Sequence, residues 1–299
     1  MNRDFLILFM DRTDFPKEAC GEVLTCFDLV KENAEADFDS AVKFLYENDC
    51  EVKLADPLLA AICEKTGANI YTVNMLFLIE CSIALRELFK SRGYDDSIFW
   101  DTMEDVKYKL NECKGMHGVF GNFVSSWYSI FYRGDIVKLG RLEYENFKYD
   151  HDENYSKHGI TIKKGDSVKS IHIPSCGTFG EELRLNSYKK AYEFFKDELN
   201  GGPLLCTCHS WLLYPQNREI LSEKSNIIGF MDDFDIVYGE EEESFSDAWR
   251  VFGADCKKPV SELPENSSMQ KAVKKWLTSG KKMGAGFGVL IFDGEKLLK

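Results

Sequence analysis

The first third of the chain carries apolar residues at helical spacing. Phe38, Val42 and Leu45 follow one another at i, i+4 and i+7, which places them on one face of a helix. The segment Asn69–Ser91 is apolar nearly all round in its first half, so we expect it to be a central helix. These patterns predict a helical domain over residues 1–120.

Cap residues and prolines predict where these helices begin. Asp56 followed by Pro57 is typical of a helix start. Asp37 or Asp39 is expected to cap a separate helix, because each precedes an amphipathic stretch. The stretch Asp95–Lys114 keeps one broad apolar stripe, and we expect it to form one continuous helix.

Short strand-like segments, rich in aromatic and β-branched residues, dominate the remainder, residues 121–299. Helical segments interrupt them and give the order β-β-β-α-β-α-β-β-α-β, which predicts an α+β fold with a mixed, mostly antiparallel sheet flanked by helices. The predicted strands are Ser125–Tyr132, Lys138–Tyr149, Val168–Pro174, Pro203–Trp211, Asp235–Tyr238, Ala248–Phe252 and Val289–Phe292, and the helices are Ser187–Leu199, Gln216–Asp233 and Ser267–Leu277. We expect Asp150–Lys157 to be a polar loop.

Charge and cysteine usage narrow the classes of partner. The formal charge of −13 disfavours nucleic acid and anionic membranes as main partners. No signal-peptide pattern opens the chain, so we expect a cytoplasmic protein whose ten cysteines are reduced thiols. No metal site is expected: no C-x-x-C pair occurs, and in the strand Cys206–His209 the histidine points away from both cysteines.

A series of motifs in the second half resembles the GCN5-related N-acetyltransferase (GNAT) fold. It is closer still to a bacterial group of GNAT-like acyltransferases that have a helical N-terminal domain. The segments that carry the resemblance are 127–135, 139–145, 172–174, 208–215, 225–227 and 249–253. The resemblance implies an acyl-CoA co-substrate, from acetyl-CoA to longer acyl-CoA, and a small-molecule amine or, less often, hydroxyl acceptor.

The resemblance also implies where the donor binds. In GNAT folds a central strand separates from its neighbour, the pantetheine arm enters the gap, and backbone N–H groups of the next loop hold the pyrophosphate. Here the strands would be Val168–Pro174 and Pro203–Trp211, and the loop 175–186, which has glycines but no flanking arginine. The expected cofactor-binding residues are Ile173, Pro174, Cys176, Gly177, Thr178, Phe179, Gly180, Ser210, Trp211 and Asn226.

Acyl transfer to an amine needs a base. His172 and His209 lie at the ends of the two central strands and are the leading candidates, because an imidazole ordinarily titrates near neutral pH. Glu143 and Glu145 are further candidates for the base, acting through a water molecule. Tyr214 is the candidate that protonates the departing thiolate, since phenylalanines stand where the family has its tyrosine.

Two alternatives stay open from the sequence. The chain is a non-catalytic binding or interaction module if the missing arginine and tyrosine are decisive. Alternatively, it is a cysteine-dependent acyl hydrolase, in which Cys176 is the nucleophile activated by a histidine. The acceptor, the acyl length and the oligomeric state are not specified by the sequence.

Overall fold

The helices of the N-terminal half pack around α4, as the apolar pattern predicts. The computed structural model describes residues 1–299 in two compact units, Met1–Lys138 and Leu139–Lys299, whereas the sequence placed the domain boundary near residue 120. The helices of the first unit are α1 (Arg3–Arg12), α2 (Lys17–Glu47), α3 (Asp56–Thr66), α4 (Ile70–Ser91), α5 (Asp96–Met103), α6 (Asp105–His117) and α7 (Ser129–Tyr132). Every residue from Thr72 to Ile79 is buried, which confirms α4 as the central helix.

Three predictions about this unit are wrong in detail. Helix α2 runs on through Asp37 and Asp39 and is only kinked, at Ala34, so no separate helix is capped there. The predicted single helix 95–114 is broken between α5 and α6 at Glu104.

The predicted strand Ser125–Tyr132 is a short 3₁₀ turn followed by α7. Its buried aromatic residues Tyr128, Phe131 and Tyr132 stand at i, i+3 and i+4, which is helical spacing. The hydroxyl of Tyr132 donates to the carbonyl of Leu78 at 2.6 Å and fixes this turn within the unit.

A six-stranded mixed sheet organises the second unit, and it confirms the α+β prediction. Its order is β1-β2-β5-β6-β8-β7, and β3 and β4 form a separate hairpin. The strands are β1 (Ile136–Leu139), β2 (Leu142–Lys148), β3 (Tyr155–Lys157), β4 (Ile160–Ile162), β5 (Ser167–His172), β6 (Leu204–Ser210), β7 (Asp235–Glu241) and β8 (Gly284–Phe292). The helices are α8 (Glu181–Phe194), α9 (Lys196–Leu199), α10 (Asn217–Ile220), α11 (Asn226–Met231), α12 (Ala248–Phe252) and α13 (Ser268–Thr278).

Several local predictions for this unit are wrong. The stretch 150–157 is not all loop, because it contains β3. The expected strand Ala248–Phe252 is α12, and the expected helix 216–233 is divided into α10 and α11. Helix α8 begins at Glu181, before the expected Ser187, because Gly180 provides an extended cap and the acidic first turn suits the helix dipole.

The two faces of the sheet pack against different elements. On one face, here called the hairpin face, Val168, Phe287 and Val289 form a core with Tyr155 and Ile162 of the β3–β4 hairpin. The opposite face, here called the α8 face, packs on helix α8, for example through ring contacts of Tyr188 and Tyr192 with Phe292. None of the helices combines the length and apolar character that crossing a bilayer requires.

Candidate active site

The parallel strands β5 and β6 pair over a very short distance. Their register contains two residue pairs, Lys169 with Cys206 and Ser170 with Thr207. Beyond these, β5 continues along β2, while β6 continues along β8 to Ser210. The prediction that the two strands do not stay paired along their length is therefore confirmed. We call the space between residues 171–173 and 208–210 the strand opening.

His172 borders the strand opening and is paired with Glu145. The imidazole Nε2 lies 2.7 Å from the Glu145 carboxylate Oε2, and the side chains are 26% and 17% exposed. Glu145 stands opposite Ser170 and Glu143 opposite His172, so all four side chains share the hairpin face. The pair is thus a diagonal cross-strand contact that stays accessible to solvent.

His209 lies on the other side of the strand opening. Because Ser170 is level with Thr207, His172 and His209 stand at equivalent positions two residues beyond the last pair, on the hairpin face. The Nε2 of His209 is 3.3 Å from Glu240 Oε1, and both side chains are about half exposed. The structure therefore brings the two predicted bases to the same opening, with the more buried carboxylate beside His172.

Two arginines hold the loop that follows β5. Arg141 donates from Nε to the carbonyl of Thr178 and from Nη1 to that of Pro174, both at 2.9 Å. Arg184 donates from Nη1 to the carbonyl of Phe179 at 3.0 Å. Both guanidinium groups also lie over the Phe179 ring, at 4.9 and 5.6 Å. Sequence patterns assigned neither residue to this loop, since the expected arginine flanks the glycines, whereas Arg141 lies in the turn between β1 and β2 and Arg184 lies in α8.

Backbone geometry makes this loop compact. The N–H of Cys176 donates to the carbonyl of Pro174 at 2.8 Å, and Gly177 takes a positive φ of 49°. Helix α8 then begins after Gly180 without a side-chain cap. Its first N–H groups are suited to an anion, although Glu181 and Glu182 bring negative charge into the same turn. Ile173, which precedes the turn, is half-buried.

The remaining predicted residues are more scattered. The Ser210 hydroxyl caps the turn Trp211–Leu213 by accepting from the Leu212 N–H at 3.2 Å, and the Trp211 ring packs near Phe245. Asn226 is the exposed first residue of α11.

Tyr214 is buried in a separate core, and its hydroxyl donates to the carbonyl of Lys282 at 3.4 Å. Burial, and then the Glu241 carboxylate, raise the pKa of Tyr214. Neither contact directs the phenol to a candidate base, and its role as an acid stays a prediction. No group of histidine, cysteine and acidic side chains is arranged to hold a metal ion.

Comparison with known proteins identifies the family. Residues 136–290 match the GNAT-like C-terminal domain, and residues 4–134 match the N-acyltransferase N-terminal domain. The chain belongs to this family of acyltransferases. The expected family and enzyme class are therefore confirmed, and among curated protein sequences none matches this chain.

Solved acyltransferase structures share the fold across both halves. One, a complex with decanoyl-CoA and teicoplanin, is 21% identical with a TM-score of 0.72, over 95% of this chain and 86% of the other. Another, a mutant acyltransferase with octanoyl-CoA, is 18% identical with a TM-score of 0.74, over 97% and 88%. At these identities the similarity establishes the fold.

Proposed function

We propose that the protein transfers an acyl group from acyl-CoA to a small-molecule amine by direct attack of the amine on the thioester. The observation that carries the proposal is the strand opening, with His172 and Glu145 at its edge. Similar folds have been solved with octanoyl- and decanoyl-CoA, so we propose a medium-length acyl chain as the preferred donor.

The strand opening suits the amides of a pantetheine arm. Beyond Ser170 and Thr207 the facing backbone edges of β5 and β6 no longer pair with each other. An extended ligand that carries amide groups pairs with strand edges as an added strand does. The loop braced by Arg141 and Arg184, with the start of α8, would then face the pyrophosphate.

The chemistry assigned to His172 is proton removal. The imidazole takes a proton from the ammonium form of the acceptor, and the Glu145 carboxylate stabilises the imidazolium that forms. The freed lone pair of the nitrogen then bonds to the thioester carbon, and the second proton of this nitrogen goes to the departing thiolate. The C–S bond of the tetrahedral intermediate then breaks and CoA leaves as the thiolate. The reaction needs no covalent acyl-enzyme, so Cys176 is not required as a nucleophile.

His209 offers a matched comparison. It stands level with His172 across the opening, but its carboxylate partner is more distant and both groups are more exposed. We expect His172→Ala to lower kcat by about 10²- to 10⁴-fold while the Kd for decanoyl-CoA changes little. His209→Ala should have a clearly smaller effect on kcat.

The test combines titration calorimetry with an assay of CoA release. Acetyl-, octanoyl- and decanoyl-CoA are titrated first, and thiol release is then followed with a panel of amines. Absence of binding by every acyl-CoA would refute the proposal, and binding without amine-dependent release would favour a binding module. Full activity of His172→Ala would remove His172 as the base, and inactivity of Cys176→Ser would favour the cysteine-dependent route.

A further inference from the structure

Three rings on the hairpin face lie parallel to one another beside the strand opening. The ring of Tyr238 stacks on Phe287 at 5.4 Å and 15°, and on His151 at 5.2 Å and 28°. His151 and Phe287 lie at 6.0 Å and 14°. We call these three residues the aromatic platform. Tyr238 is 36% exposed, so the platform presents a ring to solvent.

A β-bulge directs Tyr238 onto this face. The pairing of β7 with β8 shifts register between Ile236 and Tyr238, which places Tyr238 opposite Phe287. Bulges of this kind re-aim a side chain and are common next to active sites. His209 is also opposite Phe287, on the other neighbouring strand. One row across the sheet therefore runs from Tyr238 through Phe287 and His209 to the strand opening.

The platform is held rigidly. The backbone N–H of Glu153 donates to His151 Nδ1 at 3.1 Å, which fixes the orientation of the imidazole ring. Phe287 is buried between its neighbours, with the ring of Tyr149 at 6.0 Å on another side. A rigid aromatic surface binds a flat apolar group with little loss of side-chain entropy.

The surroundings of the platform are acidic. Burial raises the pKa of Tyr238, and the carboxylates of Glu240 and Asp150 raise it further. Burial, followed by the carboxylates of Asp150 and Glu153, likewise raises the pKa of the neighbouring Tyr149. These carboxylates favour a cation, and an amine acceptor is cationic until it loses a proton to the base.

We infer that the aromatic platform is the acceptor subsite and that it selects amines carried on a flat, apolar ring. This inference rests on the proposed function. Adjacent strands are about 4.8 Å apart, so Tyr238 on β7 and His172 on β5, which are three strand spacings apart, are separated by roughly 14 Å along the row. The preferred acceptor therefore carries its amine on a spacer of several bonds, so that the ring stacks on Tyr238 while the nitrogen reaches His172.

The experiment uses the full chain with decanoyl-CoA and matched amines. Phenylbutylamine and phenylhexylamine present a flat ring. Cyclohexylbutylamine keeps the spacer and a similar apolar area but its ring is not flat, and n-hexylamine has no ring. Wild-type protein should show a several-fold lower KM for the phenyl compounds. Tyr238→Ala should raise that KM about five- to tenfold and raise the KM for n-hexylamine clearly less, whereas Tyr238→Phe should retain the preference.

Ligand-observed NMR separates this inference from the proposed function. Saturation transfer from protein to phenylbutylamine, without CoA, should be strong for wild type and weak for Tyr238→Ala. Such transfer in a protein that binds no acyl-CoA would support the platform and refute the transferase. Equal KM values for phenyl and cyclohexyl amines, or a Tyr238→Ala variant that weakens all amines alike, would overturn the inference.

Discussion

The substitution Asp233→Asn tests how the loop after β5 is anchored. Asp233 is 8% exposed, and its Oδ2 accepts from Arg184 Nε at 2.7 Å and from the Tyr188 hydroxyl at 2.9 Å. Arg184 is 2% exposed and also donates to the carbonyl of Phe179. One buried ion pair therefore joins helix α8 to the segment after α11 and to the loop of the candidate site.

The expected cost follows from the burial of both charges. Removing one member of a buried pair costs about 3–5 kcal/mol, because the other charge is left uncompensated. Asparagine keeps an oxygen that still accepts from Arg184 and Tyr188, so we expect about 3 kcal/mol, the lower end of this range. In a unit of this size that corresponds to a fall in Tm of roughly 6–12 °C.

The neighbouring residue gives a matched control. Asp232 makes an ion pair with Arg218 at 2.8 Å, but the two side chains are 53% and 49% exposed. Exposed pairs contribute about 0–1 kcal/mol, so Asp232→Asn should shift the Tm by no more than about 4 °C. Thermal denaturation followed by circular dichroism compares the two variants under identical conditions. Equal Tm values for both would refute the reasoning.

A second substitution tests the cause of the loss. In the Asp233→Asn background, Arg184→Met removes the orphaned charge, and we expect at least about 1 kcal/mol of the free energy of unfolding to return. A double variant that is less stable than Asp233→Asn alone would show that packing by Arg184, and not its charge, determines the cost.

Two further predictions concern stability. Burial would raise the pKa of Glu104, but hydrogen bonds led by that from Lys138 lower it to about 2 from 4.5. The stabilisation that the ionised Glu104 provides is present above pH 4.5 and is lost as the pH falls toward 2. After allowance for exposure we expect this stabilisation to be about 1–2 kcal/mol. The variant Glu104→Gln should therefore show a smaller acid-induced loss of Tm than the wild type. In Gly286→Ala the added Cβ would lie 2.1 Å from the carbonyl oxygen of Leu213, so urea unfolding should show a loss of about 1–3 kcal/mol, whereas Gly21→Ala, with open space in a helix, should gain about 0.5–1 kcal/mol. An unchanged unfolding midpoint for Gly286→Ala, or an unchanged acid response for Glu104→Gln, would contradict these estimates.

Strand periodicity predicts the local part of the candidate site. Side chains alternate between faces whatever the neighbours are, so the shared faces of Glu143 with Glu145 and of Ser170 with His172 follow from sequence alone. Short segments were harder to predict. The three residues Tyr155–Lys157 form a strand because Tyr155 is buried against the sheet, and this tertiary contact leaves no periodic pattern to read.

Contacts between distant positions account for what sequence reasoning missed. Arg141 reaches the carbonyls of Pro174 and Thr178 from the turn between β1 and β2, more than thirty positions earlier in the chain. The stacking of His151 on Tyr238 likewise joins a turn to a distant bulged strand. Pattern arguments address neighbours at two to four positions, and neither contact belongs to that class.

The strand opening is maintained by contacts outside it. β5 forms an antiparallel ladder with β2, and β6 forms seven residue pairs with β8. The positions of both strands therefore depend little on the short parallel contact between them. After Ser210 the chain crosses β8 at Gly286, where only a hydrogen fits beneath the Leu213 carbonyl. The two ladders and this crossing therefore fix β5 and β6 independently of the short contact between them. Under the proposed function, a thioester held in the strand opening would lie between His172 and His209, so the same two ladders would position both the donor and the proposed base.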